Sequence, residues 1–260
     1  METLSNIGMF LVNNTRSKAY LQYILKTNMK PAYIIFMQKG QGTLFPGQRA
    51  EDLEISSTSN IKLERCEYFD ADLSIDALIQ DFDIPCHIVI AESPNAPKVC
   101  QAVREKAGKY MIYSGPGGII LKELLDAGKK LIHVHSGTLP EYRGSTTMYY
   151  ELLNAAKCAA TAIIMARALD AGPVLHSRRF EPPAGVNIDY VYDAHCRATV
   201  LVELLEKYLE EGFFQAQKQP QSDEAPYYII HPALKQIVLS RYGIEYENSD
   251  WVNCLARGMK

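Results

Sequence analysis

Short apolar runs alternate with amphipathic stretches along the first half of the chain. Apolar runs bounded by turn residues are typical of buried strands, and apolar residues that recur every three or four positions are typical of helices. The pattern predicts strands at 7–14, 31–38, 62–68, 87–93, 110–115 and 131–135. It predicts helices at 15–28, 74–82, 96–109 and 120–128.

This order of strands and helices indicates a doubly wound α/β fold with a mostly parallel, twisted sheet. The second half of the chain adds a predicted helix at 145–156, two strands at 160–168 and 173–182, and a long helix at 188–212. We expect one catalytic domain over 1–212. A short extension, 213–260, would then form either a hairpin or a subunit contact, and the polar stretch 39–60 is expected to be a loop or a mixed segment.

Two histidines mark the end of the strand predicted at 131–135, within KLIHVHSGTLPEYRGSTTMYY. Side chains alternate along a strand, so His133 and His135 face the same side. In open parallel sheets, ligands bind outside the carboxyl ends of the strands. The position therefore predicts a functional site.

Two kinds of chemistry suit this histidine pair. A zinc site would need a third ligand and an open coordination position. Acid–base chemistry would need a carboxylate to orient the basic histidine, and a second donor for a developing oxyanion. Asp170 in RALDAGPVL is a candidate carboxylate, next to a turn that Gly172 permits. The candidates for a third zinc ligand are His176, His195, Asp170 and Asp193.

Composition and charge narrow the function classes. The 260 residues are 47% apolar and 22% charged, with a net charge of −3, which disfavours a large nucleic-acid interface. No C-x-x-C pair is present, and Cys86, Cys100, Cys158 and Cys196 are expected to be reduced and mostly buried. The sequence shows no signal peptide and no apolar run that would span a membrane, so we expect a cytoplasmic protein.

Several common nucleotide and hydrolase motifs are missing from the sequence. No G-x-G-x-x-G follows the first strand, which disfavours binding of a nicotinamide cofactor. No Walker A motif occurs, which disfavours binding of a nucleoside triphosphate. The segment YSGPGG at 113–118 does not match the G-x-S-x-G of a nucleophile elbow.

The stretch HVHSGTLPEYRGSTTMYYELLNA, followed by AIIMARALDAGPVL, resembles the folate-dependent formyltransferase family. That family has an N-x-H element ending in L-P-x-(Y/W)-R-G, then a helix, then L-D-x-G between strands. It includes enzymes that formylate methionyl-tRNA, glycinamide ribonucleotide and nucleotide-linked amino sugars. The resemblance is clearest over 110–185. It implies a Rossmann-like formyltransferase fold, and it puts the family's catalytic asparagine, histidine and aspartate at His133, His135 and Asp170.

The resemblance also implies a donor and its binding residues. The donor would be 10-formyltetrahydrofolate, with its pterin between segments 114–124 and 166–173. The residues implied to bind it are Ser114, Gly115, Gly117, Gly118, Ile119, Ile120, Leu121, Ala168, Leu169 and Gly172. The residues implied to line the acceptor side are Ser136, Gly137, Thr138, Tyr142 and Arg143.

The acceptor is expected to be a small primary amine, and a nucleotide-linked amino sugar is the first choice. Only 48 residues follow Gly212 and they are charge-neutral, whereas the tRNA-acting members of the family carry a larger basic domain there. Arg197 and His195 on the long helix are candidates for a phosphate contact. Because His133 replaces the family's asparagine, three alternatives stay open: hydrolysis of formyl-folate, a zinc hydrolase using His133 and His135, and folate binding without turnover.

Overall fold

A computed structural model describes residues 1–40, 68–222 and 224–244 of the protein. The strands are β1 (Glu2–Leu4), β2 (Ile7–Leu11), β3 (Met29–Pro31), β4 (Ile34–Gln38), β5 (Cys86–Ile90), β6 (Tyr110–Ser114), β7 (Lys130–Ser136), β8 (Cys158–Ile164) and β9 (Val174–Phe180). The helices are α1 (Thr15–Lys26), α2 (Ile75–Asp81), α3 (Pro97–Glu105), α4 (Lys122–Leu125), α5 (Thr147–Ala155), α6 (Asp193–Glu211) and α7 (Pro232–Arg241). A π-helical turn at Ile188–Tyr192 leads directly into α6.

Seven of these strands form one twisted sheet in the order β5-β4-β2-β6-β7-β8-β9. The first five are parallel to one another, β8 runs antiparallel to β7, and β9 runs antiparallel to β8. The chain builds outward from β2 to one edge and then returns to build outward from β6. The carboxyl ends of β2 and β6 therefore flank the point at which the strand order reverses, where α/β sheets leave a crevice.

Helices cover both faces of the sheet. Apolar side chains of α1, α2, α5 and α6 join one buried cluster, and those of α3 and α4 join the other. Strands β2 and β6 are buried at every position because both of their faces are covered. This arrangement confirms the doubly wound, mostly parallel α/β fold that the sequence predicts.

Local chemistry explains where the helices begin and end. Asn14 caps α1, because its side chain accepts a hydrogen bond from the Ser17 backbone N–H at 2.8 Å. The long helix α6 ends at Gly212, whose φ of 79° is the left-handed conformation common after a helix. The cap fixes the position of the first residues of α1, which directly follow β2.

Most predicted elements are present, with differences at their boundaries. The strand predicted at 31–38 divides into β3, which pairs with β1 in a separate two-stranded sheet, and β4 in the main sheet. The strand predicted at 62–68 lies almost wholly outside the described residues, as does the polar stretch 39–60. Cys100, Cys158 and Cys196 are buried free thiols as expected, but Cys86 is exposed because β5 is an edge strand.

The C-terminal extension runs back over the domain instead of extending away from it. Gln217 forms an antiparallel bridge with Val174 of β9, and Tyr227 forms a parallel bridge with Gly144. Helix α7 then packs against α5. Among the described residues, no helix has the length and apolar character that crossing a bilayer requires.

The β8–β9 connection approaches β8 closely at Gly172, and a substitution there tests this contact. A Cβ atom on Gly172 would lie 1.7 Å from the carbonyl oxygen of Ile164, a backbone atom that cannot move without displacing the strand. We expect Gly172→Ala to lower the free energy of unfolding by about 1–3 kcal/mol or more in urea titrations. Gly117→Ala is the matched control, because nothing lies within 4 Å of its added methyl group. Equal stability of the two variants would contradict the close approach.

Candidate active site

A cavity of about 530 Å³ opens at the carboxyl ends of the central strands. Its walls come from the start of α1, the segment after β6, the end of β7, the start of α5, and the β8–β9 connection. Residues 226–229 of the C-terminal extension complete one side. This volume lies in the range of small-molecule sites. Both His133 and His135 line it, together with Asp170.

His135 is held between two acceptors near the end of β7. Its Nε2 lies 2.6 Å from the carbonyl oxygen of Tyr142, and its Nδ1 lies 3.5 Å from Oδ2 of Asp170. A carbonyl oxygen only accepts, so Nε2 donates and carries the proton in the neutral ring. Nδ1 is then the basic nitrogen, and it faces the carboxylate. Burial lowers the pKa of His135 below its ordinary value of 6.5, although the Asp170 carboxylate acts in the opposite direction.

The β8–β9 connection brings Asp170 to this imidazole. Asp170 has a φ of 49°, a left-handed conformation that aspartate tolerates better than most residues. Its Oδ2 also accepts a hydrogen bond from the Gly144 backbone N–H at 2.9 Å. The side chain of Gln219 donates to the carbonyl oxygens of Asp170 and Gly172 at 2.8 and 2.6 Å. The carboxylate is thus fixed from both sides of the turn.

His133 lies two residues before His135 on the same face, with ring centroids 6.4 Å apart. Its Nδ1 is buried and has no hydrogen-bond partner. Burial and the nearby guanidinium groups of Arg197 and Arg16 hold the pKa of His133 well below its ordinary value of 6.5. His133 is therefore a neutral ring at pH 7 whose hydrogen-bonding capacity the protein leaves partly unused.

Three arginines line the same cavity, Arg16, Arg167 and Arg197, and the guanidinium groups of Arg16 and Arg197 lie near His133. Arg16 is in the first turn of α1 and donates a hydrogen bond to the Gly115 carbonyl oxygen. Arg197 of α6 donates from Nε to Asp193 at 2.8 Å and from a terminal nitrogen to the Val134 carbonyl oxygen at 2.6 Å. Together they make the potential of the cavity favourable to negative charge.

The side chains of His133, His135 and Asp170 also meet the distance requirement for a metal site. One potential ligand atom from each lies within 4.8 Å of the others. Neither His176, which pairs with Glu203, nor His195 joins this group within the described part of the chain. The two guanidinium groups oppose a cation here, since they already disfavour the protonated form of His133.

Curated proteins share part of their sequence with this chain. A methionyl-tRNA formyltransferase of Caldanaerobacter subterraneus subsp. tengcongensis is 30% identical over 137 residues, 51% of this chain and 44% of the relative. One of Finegoldia magna is 24% identical over 156 residues, 58% of this chain and 49% of the relative. The chain thus spans about half the length of the curated relatives it matches. No protein-family model matches the chain.

Solved structures agree at the level of the fold. A phosphoribosylglycinamide formyltransferase from Anaplasma phagocytophilum has a TM-score of 0.55 and 12% identity, covering 88% of this chain and 98% of its own. An N-formyltransferase from Helicobacter canadensis, solved with folinic acid and dTDP-3-aminofucose, has a TM-score of 0.54 and 16% identity, covering 86% and 71%. The chain is similar in sequence to methionyl-tRNA formyltransferases and similar in fold to a phosphoribosylglycinamide formyltransferase and an N-formyltransferase. The comparisons therefore confirm the resemblance seen in the sequence.

Five of the ten residues predicted to bind the donor line the cavity. Those that line it are Gly117, Gly118, Ile119, Ile120 and Leu169. The remaining five, Ser114, Gly115, Leu121, Ala168 and Gly172, are not among the lining residues. Ser114 is buried against Ser17, with their hydroxyl oxygens 2.8 Å apart, and Gly115 orients Arg16. Their direct contact with a folate stays a prediction.

None of the five residues predicted for the acceptor side is among the residues that line the cavity, whereas residues 144–147 are. The Thr138 hydroxyl donates to Glu151 at 2.5 Å, and Arg143 donates to backbone carbonyls of Ser222 and Glu224. Tyr142 stacks on Tyr227 of the extension. The remaining two, Ser136 and Gly137, are buried. Contact of these five with an acceptor stays a prediction.

Sequence reasoning missed several residues of the site. It gave no role to Arg16. The residues that follow the first strand of such a fold lie where the strand order reverses, which is the signal that could have found it. It paired Arg197 with His195 as phosphate contacts, yet only Arg197 reaches the cavity. His195 instead lies among aromatic rings, 2.5 Å from the Tyr23 hydroxyl. No pattern in the sequence predicted that residues 226–229 form one side of the cavity.

The lowered pKa values of the two site histidines predict an acid-sensitive fold. In the unfolded chain both rings bind protons below pH 6.5, whereas in the folded protein they stay neutral to lower pH. The unfolded state thus binds more protons, so stability falls as pH drops below 6.5 toward the folded pKa values. Each histidine contributes up to about 1.4 kcal/mol per pH unit.

We expect His133→Asn to show a shallower loss of stability than the unchanged protein between about pH 6.5 and 5 in urea titrations. Other titrating groups are common to both proteins and cancel in the comparison. An unchanged slope would show that His133 titrates in the folded protein as it does in the unfolded one.

Proposed function

We propose that the protein transfers a formyl group from 10-formyltetrahydrofolate to a primary amine of a small substrate. The observation that carries this proposal is the imidazole of His135, with its Nδ1 3.5 Å from Asp170, inside a cavity of about 530 Å³ in a formyltransferase fold. The cavity suits a pteridine in size, and its segment 117–120 and Leu169 offer backbone and apolar surface for a flat ring.

In this proposal, His135 moves the proton of the attacking amine. The donor, when bound, supplies an electrophilic formyl carbon attached to nitrogen. The tautomer fixed by the Tyr142 carbonyl leaves Nδ1 free to accept the proton as the amine attacks that carbon. Asp170 then stabilises the imidazolium, because the positive charge forms next to the carboxylate. The proton passes to the nitrogen that leaves, so the ring returns to its neutral state.

His133 would donate a hydrogen bond to the oxyanion that develops on the formyl group. A neutral imidazole carries one N–H donor, and His133 has a buried ring nitrogen without a protein partner. The positive charges of Arg16 and Arg197 keep this ring neutral and also favour negative charge nearby. An asparagine amide at this position would supply the same kind of donor. The acceptor in this proposal is a small amine, with a nucleotide-linked amino sugar as the first compound class to test.

The proposed roles of His135 as general base and of Asp170 as its supporting carboxylate are tested by His135→Asn and Asp170→Asn. We expect each substitution to lower kcat for formyl transfer about a hundredfold or more, since a positioned general base contributes roughly 10²–10⁴-fold. The assay measures loss of 10-formyltetrahydrofolate and formylation of a panel of amines. His87→Asn on the edge strand β5 is the matched control and should leave kcat unchanged. Full activity in His135→Asn would refute the proposed role.

The oxyanion role is tested at His133. Replacing a donor to an oxyanion by a methyl group costs on the order of a hundredfold in kcat, so His133→Ala should show a loss of that size. His133→Asn, which restores the asparagine of the family motif, should retain activity within about tenfold. Equal losses of kcat in both variants would show that a hydrogen-bond donor at position 133 does not contribute to the reaction. Formate release without any amine would instead favour the hydrolase alternative.

A further inference from the structure

The turn that carries Asp170 receives little support from the residues around it in the chain. Asp170 has a φ of 49°, and a left-handed conformation at a residue other than glycine persists only when its surroundings hold it. The four preceding residues, 166–169, are all exposed, so no buried side chain of theirs anchors the connection. The position of the Asp170 carboxylate therefore depends on contacts from other segments.

Gln219 of the C-terminal extension supplies one of these contacts. Its side-chain amide donates to the carbonyl oxygens of Asp170 and Gly172 at 2.8 and 2.6 Å, so a single amide group spans the turn. The residues on either side of Gln219 are exposed, whereas Gln219 is half-buried. The nearby backbone is fixed, because Gln217 and Val174 exchange two hydrogen bonds of 2.8 Å. The extension thus directs one side chain toward the turn.

A second contact from the extension reaches the carboxylate through Gly144. The Gly144 N–H donates to Oδ2 of Asp170 at 2.9 Å. Tyr227 holds this glycine on both sides, since its N–H donates to the Arg143 carbonyl at 2.7 Å and its carbonyl accepts from the Ser145 N–H at 2.8 Å. A Cβ atom on Gly144 would lie 2.1 Å from the Tyr227 carbonyl oxygen, so the two backbone segments are in close contact. The extension therefore contacts the backbone of the turn directly and its carboxylate through Gly144.

We propose that Gln219 is a positioning residue for the reaction, which holds the turn so that the Asp170 carboxylate stays beside Nδ1 of His135. This inference rests on the proposed formyl transfer. Gln219 does not line the cavity, so it acts through Asp170 and not on the substrates. The attraction between a carboxylate and an imidazolium weakens with distance, and the two groups are already 3.5 Å apart. A displacement of about 1 Å near the reacting groups can lower a rate on the order of a hundredfold.

The attachment of the extension to the domain does not depend on Gln219. Its other contacts are the bridge between Gln217 and Val174, the bridge between Tyr227 and Gly144, and the packing of α7 on α5. The side-chain Oε1 of Gln219 is buried and has no hydrogen-bond partner among the described residues. An amide buried with its acceptor unused contributes little to the stability of a fold. A role in placing Asp170 accounts for this residue better than a role in stability does.

The first experiment measures the position of the carboxylate without any reaction. Hydrogen exchange in the native protein is followed at the Gly144 N–H, which donates to Asp170, and at the Ser145 N–H, which donates to a backbone carbonyl of the extension. We expect Gln219→Leu to speed exchange at Gly144 about tenfold, the effect of a weakened hydrogen bond to a charged group, and to leave Ser145 unchanged. Gln221→Leu, the same substitution at an exposed position, should change neither rate. Equal exchange at Gly144 in all three proteins would overturn the proposal.

The second experiment measures whether this contact contributes to the reaction. We expect Gln219→Leu to lower kcat for formyl transfer about tenfold, less than the loss in Asp170→Asn, because the carboxylate is kept but displaced. The KM values for the donor and for the amine should stay within about twofold, since the residue does not touch either substrate. Gln221→Leu should leave kcat and KM unchanged. An unchanged kcat in Gln219→Leu, or an effect on KM alone, would overturn the proposal.

Combination with Asp170→Asn separates positioning from a general structural role. If Gln219 acts through the carboxylate, Gln219→Leu lowers kcat about tenfold in the unchanged protein but less than about twofold in Asp170→Asn. The two residues then form a coupled pair. Equal losses of kcat in both backgrounds would show that Gln219 supports the fold in another way, which would overturn the proposal.

A second substitution covers a variant that does not fold. If Gln219→Leu fails to fold, Gln219→Glu replaces it, because glutamate has nearly the same shape and, when ionised, no donor for the two carbonyl oxygens. The same changes in exchange at Gly144 and in kcat are expected, and their absence would overturn the proposal. If the unchanged protein formylates no amine, the proposed function fails. Faster exchange at Gly144 in Gln219→Leu would then still show that Gln219 positions the Asp170 carboxylate.

Discussion

The contact between the His135 imidazole and the Asp170 carboxylate is the constraint on which the site depends. His135 lies on β7 and Asp170 on the β8–β9 connection. Their Nδ1 and Oδ2 atoms lie 3.5 Å apart because β7 and β8 pair antiparallel and the connection turns back over β8. The turn requires a left-handed backbone at Asp170 and no side chain at Gly172. A buried base next to a fixed carboxylate is the arrangement that general-base chemistry needs.

The charges around this pair are arranged so that each histidine is neutral before reaction. Burial lowers the pKa of both rings, and the cations Arg16 and Arg197 lower that of His133 further. The same cations make the cavity a favourable place for negative charge. The positive charges of Arg16 and Arg197 therefore favour a neutral ring at His133 and disfavour a metal ion at this site.

The C-terminal extension acts as a second support for the catalytic loop. Gln219 fixes the carbonyl groups of the Asp170 turn, and Tyr227 pairs with Gly144, whose N–H binds the Asp170 carboxylate. Residues 226–229 then contribute to the cavity wall. Residues of the extension thus contribute both side-chain and backbone contacts to the cavity and to the turn at Asp170.

The sequence by itself determined the doubly wound fold, because apolar periodicity is a local property, and its motifs and family resemblance predicted His133, His135 and Asp170 as catalytic residues. The family resemblance placed the acceptor side at Tyr142 and Arg143, but these side chains contact the extension, and residues 144–147 form that part of the cavity wall. The role of Arg16 and the support from Gln219 were decided only in the tertiary structure. Both depend on contacts between segments far apart in the chain, 99 residues from Arg16 to Gly115 and 49 from Gln219 to Asp170, which no local pattern encodes.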